Sequence, residues 1–397
     1  MTSQGSDLFM VGVTGTNGKT STTTLIAAAL AELARPVAVA TTLGFFLDGE
    51  ALDVPAHDRG FVATLEACRA RGGRYAAVEF TSEALAFGAA KRWPCRIGVF
   101  TNLSHDHRDA HGSAEHYLAS KAQLFMALAA GGAAVLNGCD ASAALLTEVL
   151  PADVEPIRYG TESRGAPWGK LDLCARSVSV GWFGTRCELE PSARFEGAPR
   201  AIEIRAIGAI FAENALAALA AAALAGVPVE IAAAALARWT PPPGRFEVVA
   251  EHPHVVVDYA HTPDALSRTL VTARALCRGR LTLVFGAGGD RDRAKRPLLG
   301  AAASAADRVI MTSDNPRSED PRQIAAEIRA GLSAHAPVEE ELDRARAIES
   351  AVRDASRDDV IVIAGKGHEL VQIVGDESRR FSDQAVALAA HAERHST

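Results

Sequence analysis

The sequence predicts an α/β fold: a P-loop domain with a mainly parallel sheet plus a Rossmann-like C-terminal α/β domain. Three observations carry this expectation. Short continuous apolar runs alternate with Ala/Leu-rich helical stretches, the pattern of parallel strands covered on both faces. A glycine-rich turn, Gly15–Lys19, joins the first strand to the first helix. The same rhythm restarts after TPPPG at 240–244, where prolines and a glycine interrupt a helical stretch. The expected domains are therefore 1–240 and 241–397.

In chain order, residues 8–14 (LFMVGVT) read as a buried strand and 20–33 as the helix it feeds. Further strands are expected at 37–41, 75–80 and 96–101. Residues 155–207 alternate polar and apolar side chains and read as antiparallel strands. Helices follow at 212–226 and 229–239. Past the boundary come the strand HVVVDYA, a helix near 263–277, the strand RLTLVF, a helix near 296–306, and strands in DRVIMTSD and VIVIAGKG.

Composition narrows the class of protein. The 397 residues are 48% hydrophobic and 22% charged, globular proportions that allow substantial cores. A formal charge of -7, from 41 Lys+Arg against 48 Asp+Glu, gives no bias toward nucleic acid or an anionic membrane. Six cysteines without a CxxC pair argue against a disulfide scaffold or a zinc ribbon. Reduced thiols and a cytoplasmic location are expected. The N-terminus shows neither a basic n-region nor a long apolar segment, so no secretory signal is expected. The Ala-rich stretches 215–225 and 231–237 are bounded by polar residues and proline, and read as packed helices rather than membrane spans.

The sharpest motif is Val13-Thr14-Gly15-Thr16-Asn17-Gly18-Lys19-Thr20. Its glycines let the backbone approach a phosphate, while successive amides and the helix N-terminus supply positive potential. Lys19 would reach the β- and γ-phosphates, and Thr20 would bind Mg²⁺. Val13 stands where the usual motif has its first glycine; the plain alternative is a glycine-rich turn with an incidental lysine.

Other candidates leave alternatives open. Glu79 ends an apolar strand, as a metal ligand at the sheet edge or as a solvated strand end. His105, His107 and His111 could mark a transition-metal site or a polar loop. Lys121, on a helix opened by Ser113, reads alone as a solvated lysine. Arg245 is either a linker arginine or a phosphate contact. Asp258, at a strand end, is suited to ribose hydroxyls, and His261 is a nucleotide neighbour or a turn histidine. Arg291 lies in a basic loop and could grip a carboxylate bidentately. Asp314, Arg317 and Glu369 form a mixed-charge set suited to a zwitterionic end group.

GTNGKT, VEFTSE, TNLSHDHRDAH, SAEHYLASKAQLF, VVVDYAHTPDAL, TSDNPRSEDP and AGKGHE, in that order, resemble the Mur ligase family and most closely its diaminopimelate-adding branch. The resemblance covers nearly the whole chain. It implies a central ATPase domain, a C-terminal amino-acid-binding domain, and ATP-dependent joining of a carboxylate to an amino acid such as meso-diaminopimelate. The carboxylate would be activated as an acyl phosphate, and closure of the second domain would bring the amine in line.

By the same resemblance, nucleotide contacts fall on Gly15, Thr16, Asn17, Gly18, Lys19, Thr20, Asn214, Arg245, Asp258 and Asn315. A second asparagine expected near the adenine is replaced by Phe211. Magnesium falls to Thr20, Glu79, His107 and Lys121, with Lys121 carbamylated by CO₂ into a metal-binding carbamate. Lys19, Glu79, His107 and Lys121 form the implied catalytic set. The amino acid falls to Arg291, Asp314, Arg317, Gly365 and Glu369. Arg317 would hold the distal carboxylate that lysine lacks, and Asp314 the distal amine.

The departures from the branch concern the acid substrate. The phosphate loop lies close to the start of the chain, so the domain that holds UDP in the family is expected to be missing. Asp53-Val54-Pro55 stands where the branch has TTP, Glu83 follows Ser82 where it has histidine, and Ala90 replaces an arginine beside Lys91 and Arg92. Ser82, Glu83 and Lys91 are thus candidate contacts of a carboxylate smaller than a UDP-linked muropeptide. The expectation is a ligase acting alone on small-molecule carboxylate and amino-acid substrates, without nucleic-acid or membrane partners and with no expectation as to monomer or homo-oligomer. The alternatives are a shortened peptidoglycan UDP-MurNAc-tripeptide synthetase and a non-catalytic nucleotide-binding regulator.

Overall fold

The computed structural model describes residues 8–55, 57–104, 113–333 and 337–394. The described residues form two compact units that divide between Thr240 and Pro241.

The first unit opens with β1 (Phe9–Thr14) and α1 (Lys19–Leu30), then β2 (Val37–Thr41), β3 (Gly44–Leu47), β4 (Glu50–Ala51) and α2 (His57–Ala70). There follow β5 (Tyr75–Glu79), the short helices α3 (Ser82–Ala86) and α4 (Ala89–Arg92), β6 (Ile97–Phe100), α5 (Ala114–Met126), β7 (Ala133–Asn137), α6 (Ala141–Thr147) and β8 (Glu155–Thr161). The strands β9 (Leu173–Gly181), β10 (Gly184–Pro191) and β11 (Ala201–Ile204) precede α7 (Ala209–Leu224) and α8 (Val229–Arg238).

Among the described residues these strands make one sheet of order β11-β10-β9-β8-β7-β6-β1-β5-β2-β3-β4. From β9 to β2 every neighbouring pair is parallel. The central strands are apolar throughout because both faces are covered: Met10, Val11 and Val13 are buried, as are Ala76, Ala77 and Val78. Helix α7 is buried all round from Ala215 to Ala222, and its small side chains let α1 and the sheet close on it. Among the described residues no helix is long and apolar enough to cross a membrane.

Two sequence expectations need correction. Strand β8 runs parallel to both β7 and β9, so antiparallel pairing starts only at β9–β10 and continues to β11. Its alternation reflects an exposed Glu155 end that becomes buried toward Thr161, not a change of strand direction. Helix α1 ends at Leu30, three residues earlier than expected, where the chain turns through Ala31 to Leu33 ahead of Pro36.

The second unit comprises β12 (Glu247–Ala250), β13 (His254–Asp258), α9 (Pro263–Leu276), β14 (Leu281–Phe285), α10 (Lys295–Ala303), β15 (Arg308–Met311), α11 (Pro321–Arg329) and β16 (Val338–Glu340). It continues with α12 (Arg344–Arg353), β17 (Val360–Ala364), the hairpin β18 (Val371–Val374) and β19 (Glu377–Arg380), and α13 (Asp383–Arg394). Its main sheet has the order β12-β13-β17-β14-β15-β16, parallel except for β12. Strand β17, last of the parallel set in sequence, returns between β13 and β14. The loops after β13, β14, β15 and β17 therefore emerge at one carboxyl edge, where open α/β sheets bind ligands.

Candidate active site

In the first unit, the loop from Thr14 to Lys19 is held from below by the segment after β6. Asn102 O accepts from Thr16 N at 2.8 Å, and Asn102 Oδ1 accepts from Asn17 N at 2.9 Å. The Thr101 hydroxyl and the Asn102 amide donate to Asn17 O at 2.7 and 3.0 Å. Ser104 N donates to Thr16 Oγ1 at 3.0 Å. Gly15 has φ 149°, and a Cβ there would run into Thr101 Oγ1. Gly18 caps α1 in the left-handed region at φ 84°, and a Cβ there would run into Asn214 Oδ1. This cradle, which side chains would fill, fits a phosphate chain.

Lys19 Nζ donates to Thr16 O at 2.9 Å and lies 3.9 Å from Glu79 Oε1. Thr20 Oγ1 donates to Glu79 Oε2 at 2.8 Å. Glu79 is the last residue of β5, and its side chain is only 2% exposed. Its Oε2 also accepts from the Thr42 amide at 3.2 Å, just past β2. A carboxylate and two hydroxyls at one sheet edge are hard oxygen donors, a set that suits Mg²⁺ sharing phosphate oxygens and water.

Lys121 is not solvated. It is 1% exposed, donates to Gly15 O at 2.8 Å, and sits 4.1 Å over the Tyr117 ring. Ser113 caps its helix by accepting from His116 N at 3.2 Å. His107, like His105 and His111, lies outside the described residues. Among the described residues no group of three or more His, Cys, Asp or Glu is placed to hold a metal ion. All six cysteines are free, and burial pushes the Cys95 thiol up to about 12.

Asn214 is 2% exposed on α7, and Phe211, which stands where a second asparagine is expected, is buried on the same helix. Ser82 is buried at the start of α3, capped by Thr81, whereas Glu83 and, on α4, Lys91 face solvent.

In the second unit, Arg245 lies 4.6 Å over the Tyr259 ring, and His261 Nδ1 is 2.8 Å from Tyr259 O. Asp258 ends β13 and accepts from Thr269 Oγ1 at 2.5 Å. Burial pushes its carboxyl above the ordinary range, opposed by the Thr269 hydroxyl and Arg245.

Three loops then converge. After β15, Asp314 accepts from Asn315 N, and Asn315 Nδ2 donates to Glu369 Oε2 at 2.7 Å. Asn315 Oδ1 accepts from Lys366 Nζ at 3.0 Å and from Ile373 N at 3.0 Å. The side chain expected near nucleotide is thus engaged in joining the β15 and β17 loops. Gly365 has φ 111°, and a Cβ there would lie 2.5 Å from Asp314 Oδ2. From the β14 loop, a Cβ on Gly288 would meet Arg317 Nη1 at 3.1 Å and Arg291 Cγ at 3.7 Å. Arg317 donates to Gly289 O at 2.7 Å. The five expected amino-acid contacts therefore lie on adjoining loops. Beneath them Arg296, fully buried, donates to Gly288 O and to both oxygens of Glu319, whose carboxyl it pushes down to about 2.

Sequence reasoning missed Thr42, Thr101, Asn102, Ser104 and Lys366. Each of the first four sits just past a parallel strand, the one signal that could have marked it. Lys366, inside AGKGHE, had only its motif.

A strand-to-helix phosphate loop with a strand-end carboxylate, followed by a sheet edge carrying a mixed-charge cradle, defines an α/β enzyme of the P-loop ligase class. The comparisons give the family. Residues 13–222 match the Mur ligase middle domain and 244–367 the Mur ligase, glutamate ligase domain. Over 398 residues the chain is 40% identical to the UDP-N-acetylmuramoyl-L-alanyl-D-glutamate–2,6-diaminopimelate ligase of Synechococcus elongatus, covering 98% of this chain and 78% of that protein. The ligase of the same name from Geobacillus thermodenitrificans is 37% identical, with 98% and 79% covered. A solved diaminopimelate ligase superposes with a TM-score of 0.66 at 34% identity over 98% of this chain and 79% of that one. A folylpolyglutamate synthase of Mycobacterium tuberculosis, at 21% identity over 97% and 90%, shares the fold with a TM-score of 0.70. The chain belongs to the Mur ligase family, ATP-dependent enzymes that form amide bonds.

Proposed function

We propose that this enzyme joins a carboxylate to meso-diaminopimelate, or to an amino acid with a similar zwitterionic end, through an acyl phosphate. The observation that supports the amine is the grouping of four charged residues on adjoining loops: Arg291 and Arg317 beside Gly288, Asp314 beside Gly365, and Glu369 on the amide of Asn315. Relatives that share 37–40% of their residues carry diaminopimelate in their names.

In this reading the first unit activates the acid. Amides of Thr16 to Lys19 cradle the ATP phosphates beside Asn214, and Arg245 and Asp258 of the second unit are read as further nucleotide contacts. Asn315, whose amide is taken up by Glu369, Lys366 and Ile373, is not retained among them. Thr20, Glu79 and His107 hold Mg²⁺, joined by Lys121 as a carbamate formed with CO₂; the ion, when bound, neutralises the two anions that must meet. The substrate carboxylate oxygen attacks the γ-phosphorus, the bond to the β-phosphate oxygen breaks, and ADP leaves. Lys19 meets the charge developing on the phosphoryl oxygens. The amine held by the second unit, having lost a proton, attacks the acyl carbon; the tetrahedral intermediate expels phosphate and leaves an amide. Burial of Lys121 beside Gly15, rather than on a solvated face, supports its place in this set. Dependence on ATP and six free cysteines fit a cytoplasmic enzyme.

The acid is read as differing from the muropeptide of the relatives, because an exposed Glu83 stands where the branch has histidine and the buried Ala90 where it has arginine, with the exposed Lys91 beside it. ADP formation by the purified chain across a panel of acids decides it, with diaminopimelate or lysine as amine and UDP-MurNAc-L-Ala-D-Glu among the acids. Absence of substrate-dependent ADP formation overturns the proposal; turnover of the UDP-linked acid alone overturns the reading of the acid.

A further inference from the structure

Arg344 and Asp383 form an ion pair in which both side chains are fully buried. They are the first residues of α12 and α13, and the pairing is bidentate: Nε to Oδ1 and Nη2 to Oδ2, each 2.7 Å. Two further N–H groups of the guanidinium are directed at backbone carbonyls. Nη2 donates to Ala364 O at 3.1 Å and Nη1 to Ser313 O at 3.3 Å.

Those carbonyls belong to the residues directly before Gly365 and Asp314. Strands β17 and β15 are not neighbours, since β14 lies between them. No sheet ladder therefore fixes the end of one to the end of the other, and Arg344 bridges both at the backbone. The spacing it sets is tight, with the Gly365 Cα hydrogen facing Asp314 Oδ2 where a Cβ would lie 2.5 Å from that oxygen. Side chains join the same two loops at Asn315, whose Oδ1 accepts from Lys366 Nζ at 3.0 Å and whose Nδ2 donates to Glu369 Oε2 at 2.7 Å.

Stability is a poor account of this pair. Desolvation offsets most of the Coulomb attraction of a buried ion pair, and packed apolar residues often do as well. A cation on the first residue of a helix also opposes the helix dipole. We infer that Arg344, oriented by Asp383, is a positioning residue for the amine substrate: it sets the separation of the 313–317 and 364–369 loops. The inference rests on the amine reading above.

The test replaces both partners together, Arg344→Met with Asp383→Leu, so that no lone charge is left in the core, and in parallel makes Arg344→Lys. Hydrogen exchange of peptides over 312–317 and 364–369 is expected to accelerate at least about tenfold while 281–285 stays protected, matching loss of two charge-assisted bonds. KM for diaminopimelate is expected to rise at least about tenfold, with KM for ATP within about twofold. Should the double variant fail to fold, Arg344→Lys carries both measurements. Unchanged loop exchange, exchange raised uniformly through the unit, or a fall in kcat with every KM unchanged overturns the inference. If the wild-type chain does not use diaminopimelate, the amine reading fails and loop exchange alone decides the positioning role.

Discussion

The Thr20 hydroxyl donates to Oε2 of Glu79 across 2.8 Å, tying the first turn of α1 to the carboxyl end of β5. In the proposed reading the bond marks where the first helical turn and a strand end would share one ion. Glu79→Gln keeps the shape and most hydrogen bonds but removes the charge. It is expected to lower kcat at least about 100-fold and to raise the magnesium concentration needed for half-activity. An Mg²⁺ titration of ADP formation checks this; an unchanged midpoint would show that Glu79 only anchors the loop.

Gly18 tests the cradle from the backbone side. Alanine there would be strained at φ 84° and would push into Asn214 Oδ1. Gly18→Ala is expected to weaken ATP binding by at least about tenfold, through strain of about 1–2 kcal/mol and loss of close approach. Isothermal titration with a non-hydrolysable ATP analogue reads it. The companion variant Gly49→Ala, whose Cβ would meet nothing within 4 Å, should leave affinity unchanged.

Lys121 separates ligation from binding. Its amine donates to the back of the phosphate loop, at Gly15 O, and lies over the Tyr117 ring. Lys121→Ala should abolish amide formation while ATP affinity falls by no more than about tenfold, the worth of one charge-assisted hydrogen bond. Partial recovery of activity with millimolar short-chain carboxylic acids would support a carbamate at this position. Recovery by none, with full activity in CO₂-depleted buffer for the wild type, would remove the carbamate from the mechanism.

Much of this site could be read in the sequence, and the remainder has a physical reason for being hidden. Gly15, Gly18, Lys19 and Glu79 were legible because strand, turn and helix follow one another locally. Thr42 and Asn102 were not, because they reach the loop from strands that are neighbours of β5 and β1 only in the folded sheet. Lys121 read as solvated since helical periodicity does not reveal that Tyr117 and Gly15 enclose it. The direction of β8 was misread for a related reason: alternation reports exposure, and exposure at one strand end mimics an antiparallel face. Arg344 and Asp383 are 39 residues apart and carry no motif, so only packing brings them together.

Arg317 should determine which amine is used. It donates to Gly289 O and, like Arg291, lies beside Gly288; in the proposed reading its guanidinium takes the distal carboxylate. Arg317→Ala is expected to raise KM for meso-diaminopimelate by about 10–100-fold, as expected for loss of a charge-assisted contact, and KM for lysine far less. Equal effects on the two amines would mean that Arg317 shapes the loop without reading the distal carboxylate.

Acid should loosen the same cradle from beneath. Arg296 is fully buried and holds Glu319 and Gly288 O, linking the β14 and β15 loops. The Arg296 guanidinium pushes the Glu319 carboxyl down to about 2, below its value of about 4.3 in an unfolded chain. Folding therefore favours the charged form, and the stabilisation is fully present above the unfolded value and lost as pH falls toward the folded one. Melting temperatures of the wild type and Glu319→Gln should differ most between pH 5 and 7, and the gap should close progressively below about pH 4. A gap that stays constant from pH 6 to pH 3 would show that Glu319 stabilises the loops by shape alone. The variant leaves Glu327 on Arg293 and Arg296, and this carboxylate, with the others that arginines hold low, such as Glu339 on Arg308, accounts for acid sensitivity that persists in Glu319→Gln.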